Sequence, residues 1–418
     1  MAVSQGQKPR GCSTICLPFD QKAYEVAVAD PAAFRAALDR LFALVPELFP
    51  EAFAHGFLLK DSRESAKMGL VIRRIECKAT GEAFSIRPSF AMPYMVGHAD
   101  DVSGPLFLRS FGIPYWVLAK VFGRDHDYWH RLETAFGRAS VAGTTLRRAE
   151  VPEHLLADEH HQTRDGVKNY VATTVGAGCV LGAELAQTAG EEDLQAAYAV
   201  FKEEAQDVQP GYSPKTVNTD GWAATRLAWT LLFPLAVLLR CFLHGWLAIR
   251  SRGKLNEHFA ELSRKTWHAF WARTARSFAQ RVRRLGEWAR RQGLPAWLLE
   301  QVEKLCGRSK EYQRAYRHPG GHRTSNMLDR LMRPMNRYNE SGQHLHGSTE
   351  ACNRHVRAWA LLSNFRDWHA ATARANEGKR CPAERLNKHR YHDDWLQNLL
   401  AHASLNGYRR RMPAPQNP

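Results

Sequence analysis

The spacing of apolar residues changes several times along the chain, and each change predicts a different kind of element. Residues 31–45 carry apolar side chains three to four positions apart behind an Asp-Pro start, which predicts a helix. Residues 69–87 alternate apolar and charged positions around an Ala-Thr-Gly-Glu turn, which predicts a β-hairpin. Residues 105–138 predict three short helices separated at Gly112 and Gly123, an arrangement typical of a helix-turn-helix module.

The middle of the chain predicts a mixed sheet. Short apolar segments separated by glycines are expected to form three antiparallel strands, and a helix and two further strands follow them. The predicted elements are strands over 155–159, 167–175, 179–185, 215–220 and 236–243 and a helix over 191–206.

The apolar segment 227–249 is long enough to suggest a membrane span, which needs about 20 residues. Pro234, Arg240 and His244 fall within it, and each disfavours a spanning helix. A short helix, a turn and a buried strand fit the segment better. Asp220 then lies at a strand-to-helix turn in front of that helix.

Residues 251–318 are predicted to be helical and strongly basic. Aromatic and aliphatic residues recur at three- to four-residue steps, which predicts packing between helices. This stripe consists of Trp267, Phe270, Trp271, Phe278, Val282, Leu285 and Trp288. The opposite face is rich in arginine, which fits contacts with phosphate, and a merely solvated face is the alternative. From about Thr372 the chain is polar and Arg-rich, and it is expected to be loosely ordered past Arg409.

Composition adds a partner class to this picture. The 418 residues are 44% hydrophobic and include 12 Trp, which is typical of a folded chain of several domains. Lys and Arg number 58 against 42 Asp and Glu, a net charge of +16 that favours a polyanionic partner such as nucleic acid. A basic protein without such a partner remains the alternative. Scattered cysteines and no secretory signal predict reduced thiols in the cytoplasm.

The acids provide the candidate chemistry. Asp158 and Asp220 are predicted to lie on neighbouring strands, and a third acid would arrive on a later helix. Such carboxylates are hard oxygen ligands suited to two Mg²⁺ or Mn²⁺ ions, which activate a hydroxyl and stabilise the leaving oxygen in phosphoryl transfer. The alternatives are that Asp220 caps a helix and that Asp158 is an edge residue of its strand.

Four motifs occur in a fixed order: ADEHHQTRDG, VNTDGWAAT, FPLAVLLRCFLH and, after a helical insertion, RTSNMLDRLMR. Together they resemble the transposases of bacterial insertion sequences, specifically the Mutator-like group with a ribonuclease H-type catalytic core. The resemblance covers roughly residues 155–365. The region GIPYWVLAKVFGRDHDYW is similar to the helix-turn-helix that precedes such cores.

The resemblance implies site residues one by one. The catalytic, metal-binding acids are expected at Asp158, Asp220 and Asp329. The family usually has Glu at the third position, so Glu350, which has that residue type in different surroundings, is the alternative. Supporting motif positions are expected at Cys241, His244 and Asn326. Contacts with DNA are expected from Arg124, His126, Tyr128, Arg131, Arg283, Arg284 and Arg290.

The resemblance also implies a fold and an activity. The expected fold is α/β: a ribonuclease H-like mixed five-stranded sheet (151–250 and 319–371) with an all-α basic insertion (251–318). An N-terminal α+β region (1–100) and a helix-turn-helix module (101–150) would precede it, and a basic tail (372–418) would follow. The expected activity is cleavage and strand transfer of double-stranded DNA at element ends, with two Mg²⁺ or Mn²⁺ ions and a homo-oligomer, associated with the bacterial nucleoid and not with membranes. A domesticated nuclease and a catalytically dead DNA-binding protein are the alternatives.

Overall fold

The structure, a computed structural model, describes residues 13–66, 68–342 and 344–413. The strands are β1 (Thr14–Leu17), β2 (Phe57–Ser65), β3 (Leu70–Cys77), β4 (Ala83–Pro88), β5 (His154–Arg164), β6 (Val167–Gly176), β7 (Cys179–Ala186), β8 (Thr216–Thr219) and β9 (Val237–Arg240). The α-helices are α1 (Gln21–Ala29), α2 (Pro31–Leu44), α3 (Ala99–Arg109), α4 (Tyr115–Phe122), α5 (His126–Thr134), α6 (Val141–Thr145), α7 (Glu191–Val208), α8 (Ala223–Leu232), α9 (Phe242–Gly253), α10 (Phe259–Phe270), α11 (Ala275–Arg291), α12 (Ala296–Gly307), α13 (Ser309–Gln313), α14 (Asn326–Glu340), α15 (Thr349–Phe365), α16 (Ala370–Ala375), α17 (Pro382–Asn387) and α18 (Trp395–His402).

The N-terminal region is a four-stranded sheet in the order β1-β4-β3-β2. The predicted hairpin is confirmed as β3 and β4, and the predicted first helix as α2, whose N-terminus is capped by the Asp30 carboxylate. Strands β1 and β2 were not predicted. β2 carries a mostly polar, exposed sequence, so its apolar alternation is weak.

The central sheet has five strands in the order β7-β6-β5-β8-β9. β6 is antiparallel to β5 and to β7, whereas β8 is parallel to β5 and to β9. This confirms the predicted mixed sheet. β5 continues well past the predicted end at Glu159, because polar residues from His160 onward pair with β6 as far as Arg164. Asp158 and Glu159 therefore lie in the middle of a long strand.

The two faces of the central sheet are covered by different helices. One face packs against α7 and α8 through a core that contains Tyr198, Phe201 and Trp229. The other face packs against α14 and α15, with Trp359 fully buried between them and the strands. Alternate residues of β5 point to opposite sides, so Leu155 contributes to the first core and Leu156 to the second.

The predicted helix-turn-helix region contains α3, α4 and α5, with breaks at Gly112 and Gly123. Both glycines have φ in the left-handed region, +88° and +71°, which favours glycine. The buried residues Leu118 and Trp129 of these helices belong to the same core as α15. These helices are therefore built into the wall of the central domain.

The apolar segment 227–249 is divided among three elements and does not form one long helix. α8 ends at Leu232, β9 is a short strand, and α9 begins at Phe242. In the part of the chain that the structure describes, no helix is both long enough and apolar enough to cross a bilayer.

The basic helical insertion has its own hydrophobic core, formed by α9 to α13. This core begins at Phe242, earlier than the predicted boundary at residue 251. Most of the predicted aromatic stripe is buried in it, but the prediction for Trp271 is wrong. This residue is 70% exposed because α10 ends at Phe270 and the helical period stops there.

The predicted basic tail (372–418) contains the short helices α17 and α18, and regular secondary structure ends at Gly407, just before the stretch past Arg409 that was predicted to be loosely ordered. Leu396 and Leu399 of α18 are buried in the core that contains α15, whereas Ala401 and Leu405 are buried in the core of the N-terminal sheet. α18 thus joins the two cores. The last five residues, 414–418, lie outside the described part of the chain.

Candidate active site

The register of the central sheet brings Asp158 and Asp220 side by side. β5 and β8 are parallel, and Leu156 pairs with Asn218. Two positions further along, the same register aligns Asp158 with Asp220, which directly follows β8. Residues two apart share a face, and neighbouring strands lie about 4.8 Å apart. Both acids therefore lie on the sheet face that packs against α14.

Asp329 reaches the same place from the first turn of α14. Carboxylate oxygens of Asp158 and Asp329 and a ring nitrogen of His244 all lie within 4.8 Å of one another. The Ser325 hydroxyl donates a hydrogen bond of 3.0 Å to Asp329 Oδ2 and so orients this carboxylate. Within the described residues, Asp329 forms no ion pair with an arginine of its own helix. Its carboxylate is thus available to the cluster.

His244 lies in the first turn of α9, where its Nε2 is 4.0 Å from Asp158 Oδ2. Burial acts to lower the pKa of His244, but the neighbouring Cys241, Asp158 and Asp220 outweigh burial and raise it to about 9. The imidazole is therefore protonated at neutral pH and adds a positive charge to the acids.

Cys241 is buried at the N-terminus of α9 and links this helix to α14. Its thiol lies 3.4 Å from the Ser325 hydroxyl and accepts a hydrogen bond from Ser325 N at 3.2 Å. The thiol is close enough to His244 to influence its charge, although the imidazole Nδ1 forms no hydrogen bond of normal geometry with any described residue. Cys241 and His244 thus hold together the start of α9 and the acid from α14.

Asp220 has a local structural role in addition to its position. Its Oδ1 accepts a hydrogen bond of 2.7 Å from the backbone N–H of Trp222, just ahead of α8. The next residue, Gly221, has φ +93°, and a Cβ there would lie 2.6 Å from the Arg240 guanidinium carbon. The turn therefore requires glycine and directs Asp220 to the edge of the cluster, outside the group whose ligand atoms lie within 4.8 Å of one another.

The alternative third acid, Glu350, lies elsewhere. It is in the first turn of α15, is exposed, and pairs with Arg354 at 3.2 Å. The adjacent Thr349 accepts a hydrogen bond from Arg164, which is six residues beyond Asp158 on β5. Six strand residues span about 20 Å. The structure thus brings Asp329, and not Glu350, to Asp158.

Asp158 lies in a mostly buried, acidic environment. Burial raises its pKa to about 6, Asp220 and Asp329 act in the same direction, and His244 opposes them. Carboxylates that are close together and partly buried repel one another unless a cation compensates. The two aspartates offer the hard oxygen donors that suit Mg²⁺ or Mn²⁺, whereas an imidazole suits softer metals better. The residues present therefore fit a divalent ion held by the acids.

A cavity of about 90 Å³ adjoins the acids on the side of the insertion. Its lining includes Asp220 and His244 together with the cations Lys304 and Arg308 at the end of α12, and Lys304 also pairs with Glu300 at 2.6 Å. Sequence reasoning missed Lys304 and Arg308. The signal was weak, since these residues are two of many cations in a basic helical region.

The predicted DNA-contacting residues divide into two groups. Arg124, His126 and Arg131 are exposed around α5, whereas Tyr128 is half-buried and donates a hydrogen bond to the Val96 carbonyl. On α11, the three predicted arginines are exposed, and two of them pair with acids: Arg283 with Glu287 and Arg290 with Glu303. Asn326, the last predicted motif residue, is exposed at the first position of α14.

No protein-family model matches the chain, and no curated protein matches it.

Proposed function

We propose that this protein is a transposase that cleaves DNA strands and joins the freed 3′ ends to target DNA in a metal-dependent reaction. The observation that carries the proposal is the meeting of Asp158 and Asp329 with His244, with Asp220 aligned beside Asp158. These residues come from β5, α14, α9 and the end of β8. Chain segments so far apart in sequence supply the residue types that phosphoryl transfer with metal ions uses.

The architecture supports the same proposal. The central sheet has antiparallel strands at one side and parallel strands at the other, as a ribonuclease H-like core would. The acids lie on one face of the sheet, and the helical insertion between β9 and α14 interrupts the sequence, as the resemblance implies. We therefore take 151–241 and 319–371 as the catalytic domain, with the insertion beginning at α9.

In this proposal, Asp158 and Asp329 hold Mg²⁺ or Mn²⁺, and Asp220 completes the set for a second ion. The ions would supply activation of the attacking oxygen and stabilisation of the leaving oxygen. Ser325 and Cys241 orient the Asp329 carboxylate and the start of α9. His244 Nε2 carries a proton beside Asp158 and balances its negative charge. Lys304 and Arg308 present positive charge to a phosphate that enters the adjoining cavity.

The test uses a supercoiled plasmid that carries the coding sequence together with the DNA that flanks it on both sides. The purified protein is incubated with this plasmid and a second target plasmid, with Mg²⁺, Mn²⁺ or EDTA. We expect metal-dependent cuts at defined positions and joined products in the target plasmid. The Asp158→Asn variant, which keeps the size of the side chain, should give neither product.

The other outcomes identify the alternatives. Metal-dependent cuts without joined products would indicate a nuclease that has lost strand transfer. Salt-sensitive DNA binding without cleavage under any metal condition would indicate a DNA-binding protein of the same fold. A separate readout concerns the metal: Mn²⁺ should raise the melting temperature of the wild type and not that of Asp158→Asn, because ligands of the native state stabilise it.

A further inference from the structure

A cavity of about 300 Å³ lies at the junction of the N-terminal region and the C-terminal segment, and its lining includes neither Asp158 nor Asp329 nor His244. The 3-10 helices Pro46–Leu48 and Glu51–His55 form one side, and residues 405–410 form the other. Pro46 and Ala54 are exposed at its rim. The proposed DNA chemistry makes no use of this cavity.

Arg147 lines the cavity and is 2% exposed. Its Nε donates a hydrogen bond of 2.7 Å to the His402 carbonyl, and its Nη2 donates to the Ser404 carbonyl. Its Nη1 is buried and has no hydrogen-bond partner in the described part of the chain. A buried guanidinium with a free donor and no carboxylate bonded to it is costly, because buried charges are normally paired.

Two more arginines line the same cavity, and each has a buried Nε without a partner among the described residues: Arg409 and Arg410. Each acid at the cavity has one oxygen engaged by other residues. Glu47 Oε1 accepts hydrogen bonds from Arg148 and from the Tyr391 hydroxyl, and Glu51 Oε2 accepts one from the backbone N–H of Met412. The cavity is thus lined by three arginines and two acids.

The remaining wall is apolar and includes Phe42, Phe49 and Leu405. A site with convergent cations on one side and aromatic rings on another matches a ligand that has an anionic head and a flat apolar body. We propose that this cavity binds a small organic anion, with its phosphate or carboxylate on Arg147 and its apolar part against Phe42 and Phe49.

The electrostatics of Arg147 agree with this proposal. Burial and the neighbouring Arg409 lower the pKa of Arg147 to about 9. A bound anion would stabilise the charged guanidinium, and charge-assisted hydrogen bonds to a phosphate or carboxylate are stronger than neutral ones. The volume of the cavity is at the lower end of the range typical of small-molecule sites, which is about 300 to 1,000 Å³.

The experiment is isothermal titration of the full chain with phenyl phosphate, which combines a phosphate with an aromatic ring. Benzoate tests the carboxylate, and inorganic phosphate and phenol test the two halves separately. We expect phenyl phosphate or benzoate to bind with one-to-one stoichiometry and each half to bind at least about tenfold more weakly, which corresponds to one lost charge-assisted or apolar contact.

Two variants locate the site. Arg147→Gln should weaken binding about tenfold or more. Ala54→Trp should block the rim while leaving the buried arginine in place, so it tests the cavity even if Arg147→Gln fails to fold. The matched control is Arg63→Gln, which removes an exposed arginine of β2 that does not line the cavity.

The result that overturns the proposal is an absence of binding to the wild type, or binding that Ala54→Trp leaves unchanged. Equal affinity for inorganic phosphate and phenyl phosphate would also overturn it, because the apolar wall would then have no role. All these titrations are carried out with EDTA and without DNA. Their outcome is therefore independent of the proposed strand-transfer activity.

Discussion

Two adjacent acids on β5 occupy opposite faces of the central sheet and have different surroundings. Glu159 points to the face covered by α7 and α8, where one carboxylate oxygen accepts a hydrogen bond of 2.5 Å from the Tyr198 hydroxyl. Asp158 points to the face covered by α14, where Asp329 and His244 lie within reach. Burial is the largest cause of a raised pKa for both, to about 7 for Glu159 and about 6 for Asp158.

The difference between the two acids is in their partners. Glu159 Oε1 accepts the hydrogen bond from Tyr198, and Glu159 Oε2 is buried without a hydrogen-bond partner among the described residues. Asp158 lies beside Asp329 and His244, and His244 also lines the cavity that contains Lys304 and Arg308. Strand alternation thus separates an acid that stabilises packing from an acid that can hold a cation, although the two are neighbours in the sequence.

Neutralising Asp158 and Glu159 separately tests most directly whether the two acids differ in function. Asp158→Asn should reduce metal-dependent DNA cleavage by about 1,000-fold or more, because it removes a ligand that holds a catalytic ion. Glu159→Gln, on the same strand, should retain activity within about tenfold. Rates of plasmid cleavage, with melting temperatures to verify folding, provide the measurement. Equal losses in both variants would mean that the two faces do not differ in function.

The third acid provides the second test. Asp329→Asn should reduce cleavage about 100-fold or more, since its carboxylate lies beside Asp158. Glu350→Gln should leave the rate unchanged, because Glu350 is exposed and its pair with Arg354 lies at the far end of β5. Surface ion pairs contribute about 0–1 kcal/mol to stability, so this variant should also fold normally. The opposite pattern of rates would transfer the role to Glu350.

Local patterns in the sequence predicted some of the elements that carry the site. The apolar approach to Asp220 and the Asp-Gly turn predicted β8 and the start of α8, whereas the strand predicted over 236–243 is wrong at its end, because α9 with His244 begins at Phe242. The end of β5 was not predictable, because His160 and Gln162 interrupt the apolar alternation. Both side chains bond instead to Asn336 of α14, a contact between residues that are far apart in sequence.

The choice between Asp329 and Glu350 also needed the tertiary structure. The usual residue type of the third acid favoured Glu350, whereas the surrounding motif favoured Asp329. Neither criterion indicates how far the side chain lies from Asp158. The helical insertion folds on its own core and returns the chain to the sheet at Arg323, whose carbonyl accepts a hydrogen bond from Phe242 at the start of α9. This return places α14 beside Cys241. By contrast, α18 could have been predicted, since Asp394 caps a short apolar helix in a recognisable pattern.

The α14 and α15 face also differs from the α7 and α8 face in its response to acid. His355 of α15 is partly exposed as a residue, but its Nε2 is buried and without a hydrogen-bond partner among the described residues. Burial lowers the pKa of His355 to about 4. Between pH 6.5 and 4 the unfolded chain binds a proton here and the folded chain does not. Stability is therefore complete above pH 6.5 and is lost as the pH falls toward 4.

Replacing His355 should reduce the loss of folding stability between pH 6.5 and 4. We expect the free energy of unfolding, measured by urea denaturation, to fall less for His355→Gln than for the wild type as the pH is lowered from 6.5 to 4. The difference should be on the order of 2 kcal/mol. The exposed His55 provides the matched control. The free energy of unfolding of His55→Gln should change with pH in the same way as that of the wild type. Parallel curves for both variants would show that the acid sensitivity of this face has another origin.

The smallest expected effect concerns the partner of Glu159. Tyr198→Phe removes the hydroxyl donor but keeps the ring, which packs against Trp229 at 5.1 Å. The buried carboxyl group then loses a hydrogen bond, and the free energy of unfolding should fall by about 1 kcal/mol. In the Glu159→Gln background the same change should cost a different amount, because the two side chains interact directly and their effects are not additive. DNA cleavage by Tyr198→Phe should stay within about tenfold of the wild-type rate, as for Glu159→Gln. A loss of cleavage in Tyr198→Phe at unchanged stability would instead mean that the α7 and α8 face takes part in the chemistry, and the separation of the two acids by strand alternation would no longer hold.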